Sequence, residues 1–139
     1  MKTHSFAALA FLAMFVFAGC AAAGPAPYGV PVRFAKGRDV VFADFTMRYV
    51  GQRHVADPRF KPGFTYEDFE VRGAKGSQTV SWSSGTGLVD SAAFTVDGKP
   101  YELELRGSVA KKGWLRDDEM VVWPQADFLK ALEMRSKAH

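Results

Sequence analysis

Three features of this 139-residue chain predict a mainly β domain. Apolar and polar residues alternate with period two over residues 41–49 and again over 78–83, which is the spacing of a half-buried strand. An Asp97-Gly98 pair lies between two further runs of this kind, and a segment without Gly or Pro, Gln125–Lys137, closes the chain. The expected architecture is a small antiparallel β-barrel or sandwich of six to seven strands, with a C-terminal helix over one face or one open end.

The first element is not part of that domain. A short basic segment, residues 1–5, precedes an apolar run from Phe6 to Ala18, about 13 residues long, which suits the hydrophobic region of a signal peptide. The run ends in Phe17-Ala18-Gly19-Cys20. This ending resembles the lipobox of bacterial lipoproteins. The resemblance implies that residues 1–19 are a signal peptide removed before Cys20. It also implies that Cys20 then carries fatty acyl chains, palmitate among them, on its sulfur and new amino group. Ala21 stands where inner-membrane lipoproteins of enteric bacteria carry Asp, so the resemblance implies an outer-membrane anchor and a domain facing the periplasm.

Two other readings of the same residues stay open. Ala21-Ala22-Ala23 also forms a conventional cleavage site, which gives a soluble periplasmic or secreted protein. Phe6 through Ala23 counts roughly 18 apolar and small residues, the lower limit for an uncleaved membrane helix. Cys20 is the only cysteine, so the folded domain carries no disulfide and no thiol to mispair after export.

Residues 20–36 read as a lipid-anchored flexible tether, because Pro25, Pro27 and Pro31 among small residues disfavour helix and bury little. Residues 37–139 then form one β-rich domain of roughly 100 residues, large enough to fold without staples. In the first strand Val41, Ala43, Phe45, Met47 and Tyr49 point inward. Gly51 permits a bulge, and residues 57–63, dense in turn formers, read as a loop between two β regions. Residues 64–71 and 78–83 form a hairpin across the turn 73–77. Asp97-Gly98 suits a type I′ turn between residues 94–96 and 99–105, with Tyr101, Leu103 and Leu105 inward and Glu102 and Glu104 on the wet face. Pro100 implies a strand start or an edge. A last strand, residues 119–123, stops at Pro124, and Phe128, Leu129 and Leu132 share one face of the helix that follows.

Chemistry-bearing signals are few. Ser83-Ser84-Gly85-Thr86-Gly87 lacks the spacing and the Lys-Ser/Thr of a phosphate loop and reads as a strand connection. Only His54 and His139 follow the leader, which does not supply a catalytic zinc set. His54 beside Arg53 has no serine or acid at a suggestive spacing. Asp117-Asp118-Glu119 lacks the donor alternation of a calcium loop, so no metal and no cofactor is expected. Glu67, Asp68, Glu70, Glu102 and Glu104 supply carboxylates, and glycan cleavage needs two of them facing each other at about 5 to 9 Å.

Trp114 stands in a charged stretch with Lys111, Lys112 and Arg116, and Trp and Arg dominate binding hot spots. These four residues are the expected partner-binding set; the alternative for Trp114 is that it folds back as a lid on the barrel end. The stretch of residues 33–61 is rich in Lys and Arg, which suits anionic lipid or lipopolysaccharide phosphates; export excludes nucleic acid. The sequence therefore favours a lipid-anchored binding or inhibitor module that docks an envelope protein. Alternatives are a carrier barrel holding an apolar ligand and a small cell-wall hydrolase. Trp82, Phe45, Met47, Tyr49 and Leu103 are bulky enough to fill the interior, which disfavours the carrier.

Overall fold

Period-two alternation delivers the expected β architecture. The computed structural model describes residues 24–83, 91–106 and 114–137. Eight strands and one helix occur among them, two strands more than the lower sequence expectation and one more than the upper. The strands are β1 (Val32–Arg33), β2 (Asp39–Val41), β3 (Thr46–Asp57), β4 (Phe60–Gly73), β5 (Gly76–Ser83), β6 (Ser91–Val96), β7 (Lys99–Leu105) and β8 (Glu119–Pro124); the helix α1 spans Gln125–Lys137. They form two antiparallel four-stranded sheets, ordered β1-β8-β7-β6 and β2-β3-β4-β5. Both sheets feed one core: Met47, Phe69, Val71 and Trp82 from the second meet Phe94, Leu103, Leu105 and Met120 from the first.

The Asp-Gly hairpin is built as its sequence requires. Asp97 and Gly98 both have positive φ, 50° and 84°, and join β6 to β7. The Asp97 carboxylate accepts the amides of Ala74 and Lys75 at 2.8 and 3.0 Å, which ties this turn to the β4–β5 turn of the other sheet. Pro100 sits at the second position of β7, a strand start, although β7 is a central strand.

Three expectations about the strands need correction. Residues 41–49 are not one strand: Phe42 donates its amide to the Phe45 carbonyl at 2.8 Å, closing a tight turn between β2 and β3. Phe42 and Phe45 are both buried and Val41 is 54% exposed, so the alternation breaks at the turn. Residues 57–63 are not a wide loop either. Asp57 Oδ1 accepts the Arg59 amide at 2.8 Å in a tight turn, and β4 begins at Phe60. Gly51 does mark a bulge, where the β3–β4 register shifts between Tyr49 and Gly51.

The third correction concerns Glu102 and Glu104, which are buried rather than on a wet face. All five residues from Tyr101 to Leu105 are buried, because α1 covers the outer side of the first sheet. Glu104 accepts Trp123 Nε1 at 2.7 Å and two Arg135 nitrogens at 2.8 and 3.3 Å. Gln125 donates to Glu102 at 3.5 Å. The buried helix face is accordingly Phe128 and Ala131, with Leu132 and Arg135 half-buried, while Leu129 is 59% exposed.

Residues 24–36, expected to be tether, are part of the fold. Ala26 donates to the Val41 carbonyl, Gly29 to that of Val122 and Phe34 to that of Asp118, and β1 pairs with β8. Tyr28 stacks on Phe42 with centroids 5.6 Å apart, and Phe34 stands edge-on to Tyr49 and Phe69. The prolines fix an extended path, and the aromatic residues between them supply apolar area that the composition of the segment conceals.

Two substitutions check these locks by urea unfolding of the full chain. Tyr28→Ala is expected to cost about 2 to 4 kcal/mol, whereas a solvated tether residue costs within about 0.5. Glu104→Gln is expected to cost about 3 kcal/mol, because it strands the Arg135 guanidinium beneath the helix; Glu133→Gln on the exposed helix face should change little.

Candidate functional site

At one end of the two sheets a cleft of about 220 Å³ opens between β3 and β4 on one side and the end of β7 on the other. Phe34, Tyr49 and Leu105 form its floor, and Gln52, Glu67, Arg106 and Asp117 supply its polar groups. Strand alternation points Tyr49 and Glu67 to the inner side near the bulge at Gly51. Glu67 is buried and accepts three donors: Tyr49 hydroxyl at 2.6 Å on Oε2, and Gln52 amide and Arg106 guanidinium at 3.0 Å each on Oε1.

Burial, then donation to Glu67, pushes the Tyr49 hydroxyl up to about 12, so it stays a donor. Arg106 also lies 3.4 Å from the exposed carboxylate of Asp117 and 5.9 Å over the Trp82 ring. Its backbone has φ 53°, a left-handed conformation that an arginine adopts at a cost of about 1 kcal/mol and that persists when its partners over-determine it. The arrangement is a rigid polar rim. Each carboxylate oxygen of Glu67 already holds a donor, so among the described residues the cleft presents paired charges and hydrogen-bonding groups.

A second cleft of about 340 Å³ lies by Tyr28, Asp44, Lys99, Tyr101 and the start of α1. Asp44 accepts Lys99 Nζ at 2.6 Å and the hydroxyls of Tyr28 and Tyr101 at 2.9 Å. The Lys99 ammonium first, then the two hydroxyls, hold its carboxyl down to about 2. Burial raises both tyrosines.

Of the expected partner-binding residues, Trp114 and Arg116 are described. Trp114 is half-buried and folds back, its ring 5.2 Å beneath the Arg135 guanidinium. Arg116 is exposed and its amide donates to Glu119 at 3.0 Å, one residue before the cleft residue Asp117. Lys111 and Lys112, Cys20 and residues 84–87 of the glycine-rich stretch lie outside the described residues. His54 is exposed, with Nδ1 3.4 Å from the Thr65 hydroxyl. Asp118 lies 3.7 Å from Arg33. Among the described residues no group of three His, Cys, Asp or Glu side chains could hold a metal, and no helix is long and apolar enough to cross a membrane.

Glu67 was visible in the sequence as one carboxylate among several; Gln52 and Arg106 were not singled out. Their partnership depends on register between β3 and β4 and on a contact between the two sheets, neither of which has a local sequence signal. The chain matches no protein-family model, no curated protein and no solved structure.

The acid side of the stability curve reports on Asp44. Its carboxyl is lowered in the fold from 3.8 to about 2, so its contribution is complete above 3.8 and is lost as pH falls through about 2. Asp39, Asp57 and Asp68, each lowered by an arginine, share the loss. Unfolding followed by circular dichroism should show stability dropping from pH 4 to 2; Asp44→Asn should be less stable at pH 6 and lose less across that window. An unchanged pH slope in Asp44→Asn would remove this account of the cluster.

Proposed function

We propose that this chain is a lipid-anchored envelope lipoprotein, held through Cys20 at the outer membrane and facing the periplasm, whose domain docks a protein partner. The observation that carries the reading is the disposition of the polar groups around Glu67. Glu67 ties Tyr49, Gln52 and Arg106 to one another at the mouth of the cleft, and polar groups held in place before contact reduce the ordering cost of docking a partner. Arg106, Asp117, Gln52 and the neighbouring Arg116 form the docking rim, with Lys111 and Lys112 in the stretch leading to it.

We read the two sheets as a filled sandwich rather than a hollow barrel. Trp82, Phe69 and Met47 of one sheet and Leu103 and Met120 of the other are all almost wholly buried, which supports a packed interior over a carrier's cavity. Glycan cleavage takes two carboxyl groups across a cleft, one to protonate the leaving group and one to act as base or nucleophile. Glu67 and Asp117 instead share Arg106 between them.

The test joins chemistry at Cys20 to contact at the rim. Mass spectrometry of the protein from its native envelope is expected to show three acyl chains on Cys20, lost in Cys20→Ala. A photo-crosslinking residue at Gln52 or Arg116 should capture one reproducible protein, and the same residue at Thr79, on the solvated face of β5, should not. Arg106→Ala is expected to weaken that capture tenfold or more. An unlipidated start at Gly24 overturns the anchor. Turnover of wall glycan, or a stoichiometric apolar ligand in the purified protein, overturns the docking reading.

A further inference from the structure

The β3–β4 hairpin outruns its sheet. The β2 pairing with β3 begins and ends within Thr46–Arg48, and the β5 pairing with β4 stops at Tyr66, so among the described residues no third strand pairs with residues 51–65. A two-stranded ribbon alone is marginal in water, and its edges invite pairing. This one carries exposed apolar groups at its end: Phe60 is 51% and Val55 38% exposed. Phe60 packs edge-on against Phe64, centroids 5.3 Å apart. Cations sit over the rings, Arg59 at 5.9 Å from the Phe60 centroid and Arg53 at 4.7 Å from that of Tyr66.

Residues 51–65 contain Arg53, Arg59 and Lys61 against one acid, Asp57, a formal balance of three minus one, or +2. Asp57 pairs with Arg59, whose side chain is still 80% exposed, and Asp68, just beyond the arm, pairs with Arg53 at 2.9 Å, which leaves Arg59 and Lys61 as the outward cations. The exposed Phe60 ring and Val55 side chain among outward cations match a surface with an apolar layer beneath a layer of phosphates. Aromatic rings settle at headgroup depth, and Lys and Arg reach the phosphates with their stems in apolar surroundings. A second copy of the arm suits it poorly, since two ribbons of +2 repel and Lys61-Pro62 blunts the edge of β4.

We infer that the arm formed by residues 51–65 lies on an anionic lipid surface, with Phe60 and Val55 at headgroup depth and Arg59 and Lys61 on lipid phosphates. The inference rests on the proposed function only in that export and anchoring bring the domain to a membrane.

Amide hydrogen exchange on the full chain, reconstituted in vesicles of phosphatidylcholine alone or of phosphatidylglycerol and phosphatidylcholine at about 3:7, tests it. Amides of residues 52–65 are expected to exchange at least about fivefold more slowly on the anionic vesicles, roughly the effect of one close cation, and the difference should vanish at high salt. The double variant Arg59→Gln, Lys61→Gln should abolish it and Phe60→Ser should reduce it, while the amides of Leu103 and Val122 stay protected and report an intact fold. Equal exchange on both lipids overturns the inference. So does protection without lipid that grows with protein concentration, which assigns the arm to a second copy, or protection by an acidic protein alone. The Cys20 mass is read on the same samples: an unacylated cysteine with a protected arm sinks the anchor and spares the arm, and the reverse result sinks the arm alone.

Discussion

A carboxylate with no exposed surface stands at the centre of this fold. Glu104 lies in the middle of the first sheet beneath α1, and burying an ionised acid costs several kcal/mol unless its lone pairs are filled. Trp123 and Arg135 fill them, and Arg135 lies in turn over the rings of Trp114 and Trp123. The helix cannot slide by a turn or lift away without leaving Glu104 uncompensated. One acid therefore fixes the register of α1 on the sheet, buries β7 on both faces and draws the stretch containing Trp114 against the helix, from which the chain continues to Asp117 at the cleft.

The same device recurs between the sheets. Asp44, in the β2–β3 turn of the second sheet, receives Lys99 and Tyr101 from the first. Glu67 on β4 receives Arg106 from beyond the end of β7, and Asp97 in the β6–β7 turn receives two amides from the β4–β5 turn. Apolar packing brings the layers together without fixing their offset; three acids at their margins supply the offset. The cleft around Glu67 is thus a structural joint whose outer rim remains presented to solvent.

This explains what could and could not be read from the sequence. Period two, Asp97-Gly98 and the stop at Pro124 are local signals, and they located β4 to β8 and gave the limits of α1 within a residue. The misreadings of residues 41–49 and 57–63 are local turns that interrupt the strand pattern; the others share a cause in contacts distant in sequence. Glu102 and Glu104 alternate as wet-face residues do, and only the helix docked over them, a contact distant in sequence, makes them buried. Tyr28 and Phe34 sit among prolines and small residues whose composition suits a linker, yet their rings find Phe42, Tyr49 and Phe69 from the second sheet. The paired acids of the joints have no periodicity at all, since each partner lies on a different layer.

The joints also shape the charge that the domain shows to its surroundings. In the pairs Arg53–Asp68, Arg59–Asp57, Arg106–Glu67 and Lys99–Asp44 the carboxylate is always the more buried member, with side-chain exposures of 50% against 15%, 80% against 15%, 44% against 7% and 64% against 32%. Acids are short enough to serve as pegs, whereas the longer Lys and Arg side chains reach them and still keep part of the guanidinium or ammonium in water. A formal net charge of +3 therefore understates how cationic the accessible surface is along the arm, whereas at the cleft the exposed carboxylate of Asp117 offsets Arg106. Such a surface acts on its surroundings through a screened field that falls off over about 8 Å at physiological ionic strength. That short range favours the proposed arrangement only for a domain held close to a membrane, where the cations of the arm would meet the phosphates without having to capture them from bulk solution.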